Sequence, residues 1–196
     1  TTSSQIFSIP GPSGTWSKVE PKWALFTGPS KKQILSAFSN AGAKDIVVYQ
    51  GHGEARGISP SMFSSITWSE LSAATKESPP TVPILAACQS SGGARDLLKA
   101  GVGAVFSFGM PEGISSQFSA DQIKAAGEAT PGAAAYASEA IANTLIAGGT
   151  IQEALDAGRA AYAATEEPKQ AAITELQVNV NDASDLNQTL ETLAGY

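Results

Sequence analysis

The chain of 196 residues contains one histidine, His52, and one cysteine, Cys88. A thiolate is a strong nucleophile toward carbonyl carbon, but sulfur needs a base or a nearby cation to populate that form. Breaking an amide also needs a proton donor for the leaving amine. One imidazole meets both needs, so acyl transfer is the chemistry a single Cys and a single His can share. The same scarcity excludes an internal disulfide framework. It also leaves no standard structural zinc site, because one His and one Cys are too few ligands.

Both residues sit just past apolar runs of strand type. Asp45 opens the run Ile46 to Tyr49, which breaks into Gln50-Gly51-His52-Gly53, and glycine on both sides lets the chain turn and leaves the imidazole in the open. The run Val82 to Ala87 ends at Cys88, after which Gly92-Gly93 launches a helix carrying Leu97 and Leu98. In an open parallel sheet, ligands gather outside the carboxyl ends of the strands. If these two strands are neighbours, thiol and imidazole emerge on one rim. The amides at the start of the following helix favour a thiolate, and the backbone N–H groups of Gly53 and Cys88 are the natural donors to an oxyanion. Gln50, Glu54, Gln89 and Glu112 are candidate substrate contacts on the same rim. The Gly92-Gly93 turn lacks the Lys-Ser/Thr pair and the spacing of a phosphate loop.

Two further apolar runs, Trp23 to Thr27 and Ala104 to Phe108, bring the count of continuous runs to four, with helices between them. That pattern predicts an α/β fold: a mostly parallel sheet covered on both faces. Three pairs spaced as capping boxes, Ser30 with Gln33, Thr67 with Glu70 and Thr150 with Glu153, mark helix starts. Two Ala-rich helices, about 133–147 and 151–164, follow, and Ile151, Ala154, Leu155, Gly158 and Tyr162 line one face of the second. Residues 1–22, rich in Pro and Gly, read as an irregular arm, and 23–164 as the domain. The segment 51–66 reads as a loop and 110–130 as loop-like. The tail from Thr165 holds six acids and one base, so it carries five of the six net negative charges. Leu176, Val178 and Val180 alternate as in a strand, and Leu186, Leu190 and Leu193 recur at helical spacing, so the tail is expected to pack on the domain or on a neighbouring subunit.

A net charge of −6 without a basic stripe argues against nucleic acid and against an anionic membrane surface, and no apolar run reaches the roughly 18 residues of a membrane span. The composition is that of a soluble, globular chain. Beginning at Thr1 without a basic-then-apolar leader, the sequence reads as a processed or truncated product whose compartment is not encoded in its first residues.

The segments Val47-Val48-Tyr49-Gln50-Gly51-His52-Gly53 and Ile84-Leu85-Ala86-Ala87-Cys88-Gln89-Ser90-Ser91-Gly92 resemble the paired His-Gly and Ala-Cys signatures of caspase-like cysteine peptidases. The CHAT branch is the most similar. Thr67 to Leu71, Leu97 to Phe108 and Leu145 to Ala157 resemble that branch's stretches, so the likeness covers about residues 23–164. It implies a three-layer α/β/α sandwich with a mostly parallel sheet of about six strands. It also implies endopeptidase activity by a Cys88/His52 dyad on peptide or protein substrates, without metal or organic cofactor. One departure bears on specificity. Ala86 stands two residues before the cysteine, where metacaspases carry Asp, and caspases have Gln before their Ala-Cys. No preference for acidic or basic residues at the cut therefore transfers.

Two competing readings follow from the same residues. The scaffold could serve a non-catalytic, self-assembling protein in which the strand Leu176 to Val180 adds to a sheet edge of another copy, making a homo-oligomer. A small-ligand module using the same rim is the other, but it leaves Gly51-His52-Gly53 without a role.

Overall fold

The computed structural model describes residues 5–9, 24–27, 29–42, 45–61, 63–79, 82–87, 89–109, 131–165 and 175–194. They form strands β1 (Gln5–Ile9) and β2 (Ala24–Thr27), helix α1 (Lys31–Asn40), and strands β3 (Ile46–Gln50), β4 (His52–Glu54), β5 (Gly57–Ser61) and β6 (Ser64–Thr67). Next come α2 (Trp68–Thr75), β7 (Val82–Ala86), α3 (Ser91–Lys99), β8 (Ala104–Gly109), α4 (Pro131–Ile146) and α5 (Ile151–Ala163). Strand β9 (Glu175–Val180), a 3-10 helix (Ala183–Asn187) and the short α6 (Leu190–Leu193) close the described chain. The fold is mixed α/β, as the alternation of apolar runs and capped helices predicts. Among the described residues no helix is long and apolar enough to cross a membrane.

Six strands make one sheet in the order β2-β1-β3-β7-β8-β9. Strand β3 pairs in parallel with β7, and β7 with β8. Strand β1 is antiparallel to both β2 and β3, and β9 is antiparallel to β8. Four strands, β2, β3, β7 and β8, therefore point one way. The irregular-arm reading of residues 1–22 is corrected at 5–9: Gln5 pairs with Gln50 and Ile9 with Ile46, which inserts β1 between the expected first and second strands.

Strand β3 is buried along its apolar length because each face carries helices. Ile46 and Val48 pack in a cluster with Ala137, Ile141 and Leu145 of α4 and Leu155 of α5, whereas Val47 and Tyr49 pack with Ile34 and Phe38 of α1, Leu71 of α2 and Leu97 of α3. A run apolar at every position is what two covered faces require. Each fully buried Ile or Leu contributes about 1.5–3 kcal/mol of transfer free energy. All three expected capping boxes are present, at Ser30/Gln33, Thr67/Glu70 and Thr150/Glu153. The face of α5 expected from spacing is the buried one.

The tail strand forms where its alternation predicts, but its partner is β8 of its own sheet, from Ala104 opposite Val180 to Gly109 opposite Glu175. Leu176 and Leu190 are buried against the α4/α5 cluster, and the Ile151 N–H donates to the Gln188 carbonyl at 2.9 Å. Within this chain β9 thus packs on the domain.

The loop reading of residues 51–66 is also corrected. Strands β4, β5 and β6 form a second, three-stranded antiparallel sheet, with Gly53 opposite Ile58 and Ile58 opposite Ile66. Ile58 and Ile66 bury one face of it against the α1–α3 side of the core. Gly57 permits the close pairing: a Cβ there would lie 2.0 Å from the Ile66 carbonyl oxygen.

Helix α2 is held to α1 and β6 by charge. The Lys31 ammonium donates to Glu70 Oε1 at 2.6 Å and to the Ser65 carbonyl at 3.1 Å, while Glu70 closes the cap on Thr67. The Lys31 hydrogen bond, followed by that from the Thr67 N–H, lowers the Glu70 pKa from 4.5 to about 2. A depressed carboxyl pKa stabilises the folded state above the unfolded value, and that stabilisation disappears as pH falls through the folded value. Glu70→Gln, which keeps the cap but not the charge, is therefore expected to lower the urea midpoint at pH 7. The gap to wild type should narrow between pH 4.5 and 2, and it should shrink in 0.5 M salt because the pair is solvent-exposed.

Candidate functional site

The parallel register of β3 and β7 sets Gln50 opposite Ala86, and the Gly51 N–H extends the ladder by donating to the Ala86 carbonyl at 3.2 Å. The two strands therefore leave the sheet side by side. His52 is two residues beyond one of them, and Ala87 and Gln89 flank the cysteine position beyond the other. Cys88 itself lies outside the described residues, as does Glu112.

His52 opens β4, where it pairs with Ser59 of β5. Alternation along β4 and β5 puts His52, Glu54, Ser59 and Ser61 on the outer face of the small sheet and Ile58 on the buried one. The Tyr49 hydroxyl, held in the core, donates to the His52 carbonyl at 3.2 Å and ties the backbone of this residue to β3. The imidazole is exposed and lines an open groove of about 620 Å³ with Gly53, Glu54, Ser59, Ser61, Phe63, Ser64 and Ser65. Glu54 accepts from the Ser59 hydroxyl at 2.7 Å. Gly53 is half-buried in the middle of β4.

Gln50 does not share that groove. It points to the opposite face of the large sheet, in the same phase as Ile46 and Val48, and lines a separate cavity of about 460 Å³ with Tyr136, Glu139 and Asn143 of α4. Gln89 is exposed and takes a left-handed backbone, φ 54°. Outside glycine that region is sparsely populated and persists only where the surroundings enforce it. Here they do. The Ser90 N–H closes a turn onto the Ala87 carbonyl at 3.3 Å. The fully buried Ser90 hydroxyl donates to the Leu85 carbonyl and accepts from the Phe108 N–H, each at 2.8 Å. One hydroxyl thus pins the β7–α3 turn to both strands that flank it.

A second device couples the two halves of the rim. The Trp68 indole N–H donates to the Ala55 carbonyl in the β4–β5 turn at 3.0 Å, and its ring packs against the first turn of α3. A Cβ on Gly93 would come within 2.4 Å of the ring, and one on Gly92 within 3.2 Å of the Ala55 oxygen. The Gly92-Gly93 pair, expected to start a helix by turning the chain, is required by this contact: the indole and the His52 hairpin approach a helix that has no side chains there. Trp68 packs its own helix and in doing so ties the His52 hairpin to the helix that follows Cys88.

Sequence reasoning missed Ser90, Ser59, Ser61 and Phe63. The only available signal for the last three was the hydroxyl-rich run Ser59 to Ser65, whose small polar residues alternate too weakly to mark a strand. The sequence matches no family model, and comparison with curated proteins finds no match.

Two substitutions test this scaffold. Gly93→Val forces the indole or α3 to shift and is expected to cost about 1–3 kcal/mol in urea unfolding, the usual range for overpacking a filled site. Ser90→Ala leaves the buried Phe108 N–H without its acceptor and should cost about 1–3 kcal/mol. A Ser90→Ala variant as stable as wild type would show that the turn is held by other contacts.

Proposed function

We propose that the chain is a cysteine endopeptidase of the caspase-like, CHAT-branch type, in which Cys88 is the nucleophile and His52 the acid-base group. The observation that carries the reading is the parallel pairing of β3 with β7, because it brings the segment bearing the lone imidazole beside the segment bearing the lone thiol. The exposure of His52 on an open groove and the clamp between its hairpin and α3 support it. The first turn of α3 contains no acidic side chain, so its amide end favours negative charge just after the cysteine.

In this mechanism the Cys88 thiolate, formed with His52 as the imidazolium, attacks the peptide carbonyl carbon and makes a C–S bond. The carbonyl electrons move onto oxygen, which the Gly53 and Cys88 N–H groups receive. The imidazolium gives its proton to the amide nitrogen, the C–N bond breaks, and the amine leaves. Neutral imidazole then takes a proton from water as the hydroxide adds to the thioester. Collapse expels the thiolate and releases the acid. No cofactor enters any step. The six-stranded sheet with helices on both faces is compatible with the three-layer sandwich of that family.

The self-assembling scaffold is the second reading; within this chain its strand β9 pairs with β8. Incubation with a mixed peptide library, followed by mass spectrometry of the products, tests the enzymatic reading. Cys88→Ala should lower turnover by about 10⁴-fold or more and His52→Ala by about 10²–10⁴-fold. Cleavage that survives Cys88→Ala undiminished overturns it.

A further inference from the structure

The groove beside His52 has an orientation with respect to a cleaved bond. In acyl transfer the carbonyl carbon is bonded to the nucleophile, while the proton donor faces the leaving amine. A channel that begins at the imidazole and runs away from it along the His52 hairpin therefore receives the part of the substrate on the amine side of the cut. The Phe63 end of the groove fits this description: Ser61 lies beyond the His52/Ser59 pair on the side away from Glu54 and from the Ala55 turn that approaches α3, and neither Ala87 nor Gln89 lines the groove.

Its chemistry narrows the occupant. The hydroxyls of Ser59, Ser61 and Ser64 offer uncharged hydrogen-bonding groups suited to peptide amides. Neither Lys nor Arg is among its described lining residues, and its one acid, Glu54, already accepts from Ser59. At the far end stands Phe63, 96% exposed, on a turn whose backbone is fixed by the Phe63 N–H donating to the Ser61 hydroxyl at 3.4 Å. Of the described large apolar side chains only Phe63 and Tyr136 are exposed, and Phe63 is the one that shares a groove with His52. Ser59 faces His52, and Ser61 lies two residues further along β5, about 7 Å at roughly 3.3 Å per residue. A peptide extended from the imidazole meets the ring at its second or third residue past the cut.

We infer that Phe63 is a specificity-determining residue, and that the groove from His52 to Phe63 binds the amine-side segment of an extended peptide carrying an apolar side chain two or three residues beyond the cleaved bond. This rests on the Cys88/His52 reading and adds to it a direction and a substrate class.

The test compares wild type, Phe63→Ser, Cys88→Ala and His52→Ala on one peptide library, with preferences read separately on the two sides of the cut. Wild type should favour Leu, Met or Phe over Asp and Ser at the second or third amine-side position by about tenfold, the low end of what one apolar contact discriminates. Phe63→Ser should abolish that preference while leaving the acyl-side profile and Cys88 alkylation by iodoacetamide unchanged. Because the ring is exposed, the variant is expected to retain the wild-type circular dichroism spectrum and urea midpoint. Cleavage that requires Cys88 and His52 but keeps its amine-side profile in Phe63→Ser overturns this inference and leaves the dyad standing. Cleavage independent of Cys88, or none by any protein, overturns both.

Discussion

The pairing of β3 with β7 is the constraint from which the rest of the site follows. Parallel strands cannot be joined by a tight turn, so the chain must cross over between them, and here the crossover contains the β4–β6 hairpins and α2. That detour lets one short stretch of sequence carry His52 outward, bury Ile58 and Ile66 inward, and deliver Trp68 back to the helix that follows β7. The ladder continues one step beyond the strand through Gly51 and Ala86, so the two exits leave the sheet at the same level.

Rigidity at the rim comes from a few buried polar contacts rather than from many surface ones. The Ser90 hydroxyl joins the β7–α3 turn to β7 and β8, the Tyr49 hydroxyl joins β3 to the start of β4, and the indole N–H joins the β4–β5 turn to α2. Each is a hydrogen bond whose loss would leave a partly or fully buried group unsatisfied, which makes its geometry costly to abandon. The left-handed Gln89 is tolerated inside that frame because the turn's two ends are already held. The outer face of the β4–β6 sheet is different: Phe63 and the serine hydroxyls that line the groove face outward rather than into the core.

The tail shows how the sheet's other side is completed. Strand β9 covers the edge of β8, and Leu176 and Leu190 extend the cluster built by α4 and α5. An exposed β8 would present a row of unpaired amides and carbonyls beside a strand buried along its whole length, an invitation to intermolecular pairing. The alternation in Leu176-Gln177-Val178-Asn179-Val180 suits an edge strand with one covered face, whereas β8 is buried at every residue and apolar but for Ser107.

Local signals were sufficient for the elements that obey them. The three capping boxes, the continuous apolar runs of β3, β7 and β8, the buried face of α5 and the position of His52 just past β3 are all legible in the order of residues, because each depends on neighbours within a few positions. Strand β1 and the β4–β6 sheet were not. The residues of β1 sit among Pro and Gly that suggest an arm, and their pairing is with Gln50 to Ile46, some forty residues away. The residues of β4 to β6 are mostly Gly, Ser and small polar types with little preference for extended backbone, so only their partners make them strands. The sequence alone determined which residues could do chemistry and that two apolar strands end at them. That those strands are neighbours, that Gln50 turns away from the groove, and that Gly92-Gly93 serves an indole were decided by tertiary packing, because contacts between distant segments are set by which faces must be covered together.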